Sequence, residues 1–187
     1  ILYQYHRVIS LRRSHYCEAL HHLKNIPTNV AIGINEPDLD YDRLLQLIEW
    51  CRLVPTIKTV TIYYPNAPEE APRQLDLNLK DSQDFQVCFL TAQSGRQSLI
   101  EAARYFARDP TKEVTVDRIS EYLKHDYPHP DPELLLIFGE CQIYNGFPCW
   151  QIRLTETMFF APLEWITLSQ FYQALKVYSK CEQRFGK

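Results

Sequence analysis

An α/β domain with a central, mostly parallel sheet flanked by helices is the fold the sequence predicts. Three observations carry it. Short apolar runs rich in β-branched residues alternate with longer stretches whose apolar residues recur at helical spacing. The first two such runs, NVAIGI and TIKTVTIYY, are separated by a helix-sized segment, the spacing of a βαβ crossover rather than a hairpin. A later run, ELLLIFG, is apolar after its first residue, as expected of a central strand covered on both faces.

The elements follow in order. Residues 3–24 read as a helix with Leu11, Tyr16, Leu20 and Leu23 as apolar positions, ended by Pro27. NVAIGI is the first strand. In EPDLDYDRLLQLIEWCRLV, Asp40 or Asp42 caps a helix whose Leu44, Leu47, Ile48 and Cys51 share a face. TIKTVTIYY is the second strand. The proline-rich YPNAPEEAPRQ is a loop, and FQVCFLTA the third strand. Gly95 occupies the turn before the helix SLIEAARYFAR, and Thr115 caps a shorter helix in VTVDRISEYL. After the break YPHPDP comes ELLLIFG. CWQIRLTETMFF reads as a further strand, and LSQFYQALKVYSKCEQR as a last helix with Phe171, Leu175 and Tyr178 on one face. No repeat or low-complexity segment interrupts the series.

A chain of 187 residues is one domain's worth and long enough to bury a core. A net charge of -3 gives no general attraction to nucleic acid, so no nucleic-acid partner is expected. Only five glycines are present, none arranged as a GxGxxG or P-loop, which argues against a conventional nucleotide cradle. The six cysteines, Cys17, Cys51, Cys88, Cys141, Cys149 and Cys181, show no CxxC and lie partly in apolar runs, as reduced buried thiols do. His15, His21 and His22 lack the companions of a metal site and read as a solvated helix face. No run reaches the roughly 18 apolar residues of a membrane span. The chain begins with Ile1, so it is read as part of a longer protein.

The segment ELLLIFGECQIYNGFPCWQIRLTE (residues 133–156) resembles, without a gap, the cis-prenyltransferase signature D-L-L-I-R-T-G-G-E-x-R-L-S-N-F-L-L-W-Q-x-x-x-S-E. Leu134, Leu135, Gly139, Phe147, Trp150, Gln151 and Glu156 match it. With NVAIGI, LIEWC, SGRQSLIEAA and the ending YSKCEQRFGK, the resemblance covers residues 29–187. WQIRLTE together with the terminal C-E-Q-R-x-G-K is similar to the non-catalytic subunit of the eukaryotic dehydrodolichyl diphosphate synthase complex, the Nogo-B receptor family. The departures agree. Where catalytic members carry H-x-x-x-I-M-D-G-N-x-R, this chain has NVAIGINEPDLD. Asn35 stands at the magnesium aspartate and Glu36 at the following glycine; Ile137 and Ile143 stand where two arginines would clamp a diphosphate. A neutral amide lacks the charge magnesium favours, and isoleucine cannot make bidentate phosphate contacts.

The resemblance implies a cis-prenyltransferase-like domain over residues 29–187, preceded by a basic helix over residues 1–28 leading from an upstream membrane segment. It implies a heterodimer or higher heteromer with a catalytic subunit, location at the endoplasmic reticulum membrane with this domain facing the cytosol, and magnesium in the partner's active site rather than on this chain. Condensation of isopentenyl diphosphate with farnesyl diphosphate, for dolichol synthesis and glycosylation, would be the joint activity. Arg184, Phe185 and Gly186 would reach across to the isopentenyl diphosphate phosphates: arginine offers a planar fork of donors, and glycine admits close approach of a backbone N–H. From residues alone the same tail reads as a charged terminus. Trp150, Gln151, Arg153 and Glu156 are the candidate interface, with Trp150, Phe147, Phe159 and Phe160 as an aromatic cluster that packs in the core or partly faces the partner. For Arg153 an ordinary surface position is an equal reading. Gly95 and Arg96 match the family's G-R turn; their plain reading is a helix start. Two other readings stay open: an autonomous prenyltransferase, against which Asn35, Ile137 and Ile143 argue, and a receptor or scaffold module with no catalytic role.

Overall fold

The computed structural model describes residues 20, 22–68, 84–109, 111, 113–125, 127 and 130–181. Five strands, β1 (Asn29–Ile34), β2 (Thr59–Tyr63), β3 (Gln86–Leu90), β4 (Leu134–Phe138) and β5 (Glu156–Phe160), form one sheet in the order β3-β2-β1-β4-β5. Every neighbouring pair is parallel, so among the described residues the sheet is wholly rather than mostly parallel. The helices are α1 (Tyr41–Arg52), α2 (Arg96–Ala107), α3 (Val116–Leu123) and α4 (Leu168–Tyr178), with short 3-10 turns at Ala92–Ser94 and Leu163–Trp165.

Alternation along the strands sorts their side chains between two cores. Val30, Ile32, Ile34, Val60, Ile62, Leu134, Leu136 and Phe138 face α1 and α4, whose buried residues are Leu44, Leu47, Ile48 and Cys51 on one helix and Phe171, Ala174, Leu175 and Tyr178 on the other. Ala31, Tyr63, Leu90, Leu135 and Ile137 face the opposite side, closed by Tyr127 and Phe147. Both faces of the central strands are covered, which is why β4, LLLIF, carries no polar residue. Phe171 has no exposed surface; cutting such a side chain to alanine costs about 3–5 kcal/mol.

Asp40 and Thr115 cap the helices the sequence marks with them, and Thr167 adds a cap the sequence reading did not name. Asp40 Oδ1 accepts from the Arg43 amide at 2.9 Å, Thr115 Oγ1 from the Arg118 amide at 3.3 Å, and Thr167 forms a reciprocal capping box with Gln170. Each such cap is worth about 1 kcal/mol.

Several expectations change. CWQIRLTETMFF is a strand only over Glu156–Phe160. Residues 149–154 are turns, closed by Gln151 N–H to the Pro148 carbonyl and Thr155 N–H to the Ile152 carbonyl. The Thr155 hydroxyl donates to the Pro132 carbonyl at 2.6 Å, fixing the chain where the strand begins. The last helix ends at Tyr178, with Ser179 as its cap. The aromatic cluster divides: Phe159 packs with Phe147 on one face of the sheet, Phe160 stacks on Phe138 on the other, and Trp150 belongs to neither core. Cys51 is buried, but Cys141 and Cys149 are exposed, because both lie in loops rather than in the apolar runs. Of the proposed helix over residues 3–24, Leu20 is buried in the first core and Leu23 packs against it; Leu11, Tyr16 and the histidines His15 and His21 lie outside the described residues.

Candidate functional site at the carboxyl end of the sheet

The strand order reverses at β1: the chain proceeds outward to β2 and β3 on one side, then returns to place β4 on the other. In open parallel sheets the crevice beyond the carboxyl ends of the strands at such a reversal is where ligands bind. Here that position is bounded by Asn35 and Glu36, directly after β1, and by the segment 139–147, directly after β4.

The crevice is occupied by the chain itself. Gly139 has φ +137, a conformation that favours glycine, and a Cβ there would meet the Asn35 carbonyl oxygen at 2.7 Å. The missing side chain lets the backbone after β4 lie directly against the backbone after β1. Asn35 Nδ2 then donates to the Ile143 carbonyl at 2.5 Å and to the Cys141 carbonyl at a marginal 3.5 Å. From the other side, the Tyr63 hydroxyl at the end of β2 donates to the Asn145 carbonyl at 3.0 Å, and its ring meets Phe147 edge-on. Asn145 and Gly146 turn the backbone through the left-handed region, with φ of 47 and 83. Gly95 completes the enclosure: a Cβ on it would lie 2.2 Å from the Gly146 carbonyl oxygen, so glycine is needed for this close approach.

Glu36 points elsewhere. Its Oε1 accepts from the Leu163 amide at 2.7 Å, joining the end of β1 to the turn that precedes α4. Burial, and to a lesser degree the neighbouring Glu164 and Asp40, raise its pKa above the usual carboxylate value, while the Leu163 N–H pulls the other way. Because the partners of the Asn35 amide are carbonyl oxygens, its NH2 group must face them. An amide presenting hydrogens holds a loop; it offers no anionic ligand to a divalent cation. The arrangement does not fit magnesium at Asn35. Among the described residues no group of three or more histidine, cysteine, aspartate or glutamate side chains converges as metal ligands would.

The family model described as putative undecaprenyl diphosphate synthase matches residues 63–186 of the chain. The chain belongs to this prenyltransferase family. Its relatives include the dehydrodolichyl diphosphate synthase complex subunit Nus1 of Mus musculus, 36% identical over 59% of this chain and 40% of that protein. The Nus1 subunit of Schizosaccharomyces pombe is 34% identical over 68% of this chain and 49% of the relative, and that of Homo sapiens 33% identical over 88% and 68%. The chain thus spans about half the length of the first two. A probable undecaprenyl diphosphate synthase from Campylobacter jejuni shares the fold, with a TM-score of 0.63 at 17% identity, covering 87% of this chain and 100% of that one.

The prenyltransferase positions singled out in the sequence separate in space. Asn35 and Ile143 meet through a hydrogen bond. Ile137 does not join them: it is 2% exposed and points into the second core, whereas Ile143 is 52% exposed. Trp150 Nε1 donates to Ser120 Oγ of α3 at 3.0 Å; the Arg153 guanidinium lies over its ring at 4.1 Å, and Arg153 Nε donates to the Trp150 carbonyl. Gln151 is buried, while Trp150, Arg153 and Glu156 keep accessible surface. Glu156 opens the edge strand β5 beside Leu134. Arg184, Phe185 and Gly186 lie outside the described residues, and Cys181 is the last described residue before them. Sequence reasoning missed Tyr63 and the Glu36 partner Leu163. The dipeptide Asn145-Gly146, a known signal for a left-handed turn, was the available clue to the loop's geometry.

Proposed function

We propose that this chain is the non-catalytic accessory subunit of a heteromeric cis-prenyltransferase of the dehydrodolichyl diphosphate synthase type. The carrying observation is the loop clasped over the carboxyl ends of β1, β2 and β4. At the position that the resemblance gives to magnesium and diphosphate, Asn35 is hydrogen-bonded to Ile143, and the residues aligned with the arginine clamp are aliphatic. The names of the Nus1 relatives, subunits of a complex, support the same reading.

In this reading the catalytic partner holds magnesium and performs the condensation of isopentenyl diphosphate with farnesyl diphosphate. This chain contributes an interface that includes Trp150, Arg153 and Glu156. It also lends Arg184, Phe185 and Gly186 to the isopentenyl diphosphate phosphates. An arginine supplied from a neighbouring chain stabilises phosphate charge without any chemistry of its own. Anchoring to the endoplasmic reticulum membrane through a preceding segment belongs to the same proposal.

The test is polyprenyl diphosphate synthesis by this chain, by a catalytic partner, and by the mixture, with wild type and Arg184→Ala. The expected result is activity in the mixture far above either component, lowered at least tenfold by Arg184→Ala while the subunits still co-purify. Turnover by this chain alone would overturn the proposal. An unchanged rate with Arg184→Ala would reduce the chain to a scaffold acting through its interface.

A further inference from the structure

We infer that Glu36 is a positioning residue that pins the start of α4, and through it the exit of the C-terminal tail, to the carboxyl end of β1. Its consequence for substrate rests on the subunit reading given above.

The chain leaves β5 at Phe160 and must be redirected before it can run as α4. That redirection occurs in the turn Leu163–Trp165. The Leu163 side chain is fully buried in the first core, and its amide is held by the Glu36 carboxylate. A carboxylate accepting from a backbone N–H is among the stronger hydrogen bonds of a fold. Four residues later Thr167 and Gln170 cap α4 reciprocally, and the helix is keyed to the sheet through Phe171, Ala174, Leu175 and Tyr178. At its far end, the Cys181 amide bonds the Tyr178 carbonyl immediately before the tail. The turn, the extended pair Ile166 and Thr167, and the capped helix α4 thus follow one another from the Glu36 contact to Cys181, where the tail departs. Close-packed interiors transmit strain, so a shift at the start of α4 is passed along its buried face towards Tyr178.

Glu36 thus has a use that neither a metal nor a phosphate explains. It sits at the mouth of the crevice, but its acceptor oxygen is spent on Leu163. Glutamine at this position keeps the acceptor and drops the charge; alanine removes both. That pair of variants separates positioning from electrostatics and from simple destabilisation.

The experiment uses the complex with a catalytic cis-prenyltransferase subunit and, in parallel, the chain by itself. Hydrogen exchange is followed in a peptide covering residues 161–168, and KM for isopentenyl diphosphate and kcat are measured separately. Glu36→Ala is expected to accelerate exchange in that peptide at least tenfold and to raise KM three- to tenfold, with kcat within twofold of wild type. Glu36→Gln is expected to restore both. Unchanged exchange in Glu36→Ala overturns the clasp. Faster exchange with unmoved KM in an active complex overturns its coupling to the tail. An inactive wild-type mixture overturns the subunit reading instead, and the exchange result still decides the clasp.

Discussion

Asn35→Asp places a carboxylate where the sequence departs from catalytic prenyltransferases, and the structure says what it would do. The native amide donates to the Ile143 carbonyl at 2.5 Å and weakly to that of Cys141. Aspartate has no hydrogen to give at neutral pH. Loss of the one well-formed bond costs about 1 kcal/mol. A carboxylate oxygen left facing a carbonyl oxygen adds repulsion of about 1 kcal/mol more, because the site is only partly exposed. For a chain of this size about 2 kcal/mol lowers the melting midpoint by roughly 4–8 °C. Asn35→Ala, which removes the bond without the repulsion, should lose about half as much. Thermal and urea denaturation of the three proteins checks the order. Adding magnesium gives a second reading: a cation bound by the new carboxylate would raise the midpoint of Asn35→Asp, and none is expected to, because Glu36, which stands at the family's glycine, is turned to the Leu163 amide. An unchanged or higher midpoint for Asn35→Asp, or stabilisation by magnesium, would refute the account of Asn35 as a loop clasp.

Gly139→Ala should lower stability by about 2–4 kcal/mol in denaturant titration, since alanine must adopt a φ of +137 and push its Cβ into the Asn35 backbone. Tyr63→Phe removes the bond to the Asn145 carbonyl but keeps the ring against Phe147, so a loss of about 1 kcal/mol is expected, with faster hydrogen exchange confined to residues 143–147. The Glu36 carboxyl is raised above its ordinary value of 4.5, so between that value and its folded pKa the native state holds more protons than the unfolded one. Its contribution to stability therefore falls as pH rises through that window. Glu36→Gln lacks this dependence, and its stability relative to wild type should increase as pH is raised from about 4.5 to 7 in parallel urea titrations.

The sheet was legible because burial on both faces leaves a simple record. NVAIGI and ELLLIFG have almost no polar residue to place, and Asp40 and Thr115 mark where helices begin. The boundary of β5 was not legible. Residues 149–160 alternate well enough for a longer strand, and it is hydrogen bonds to the segment before β4, from Thr155 to Pro132 and from the Glu156 amide to the Glu133 carbonyl, that mark where turns give way to extension. The site was half legible. Asn35, Glu36, Ile137 and Ile143 could be picked as departures from a pattern, but not sorted by use. One holds a loop through its side chain, one holds a turn before a helix, one fills a core and one supplies a carbonyl. Those distinctions depend on which way each side chain leaves the backbone, and on what returns to meet it from over a hundred positions away.

The sheet order also has a consequence for how the chain is made. β1 is the central strand, yet its second neighbour is β4, and Val30 pairs with Leu134. During synthesis the early βαβ portion emerges with one side of its most apolar strand unpaired until the segment around Leu134 to Phe138 has appeared. Such an unpaired parallel edge is slow to close and prone to pair with other chains. A ribosome paused between β3 and β4 would present that edge for as long as the pause lasts. Holding factors that bind exposed apolar strands should engage nascent chains of this protein most strongly in that interval, and release them once the signature-bearing strand has left the tunnel.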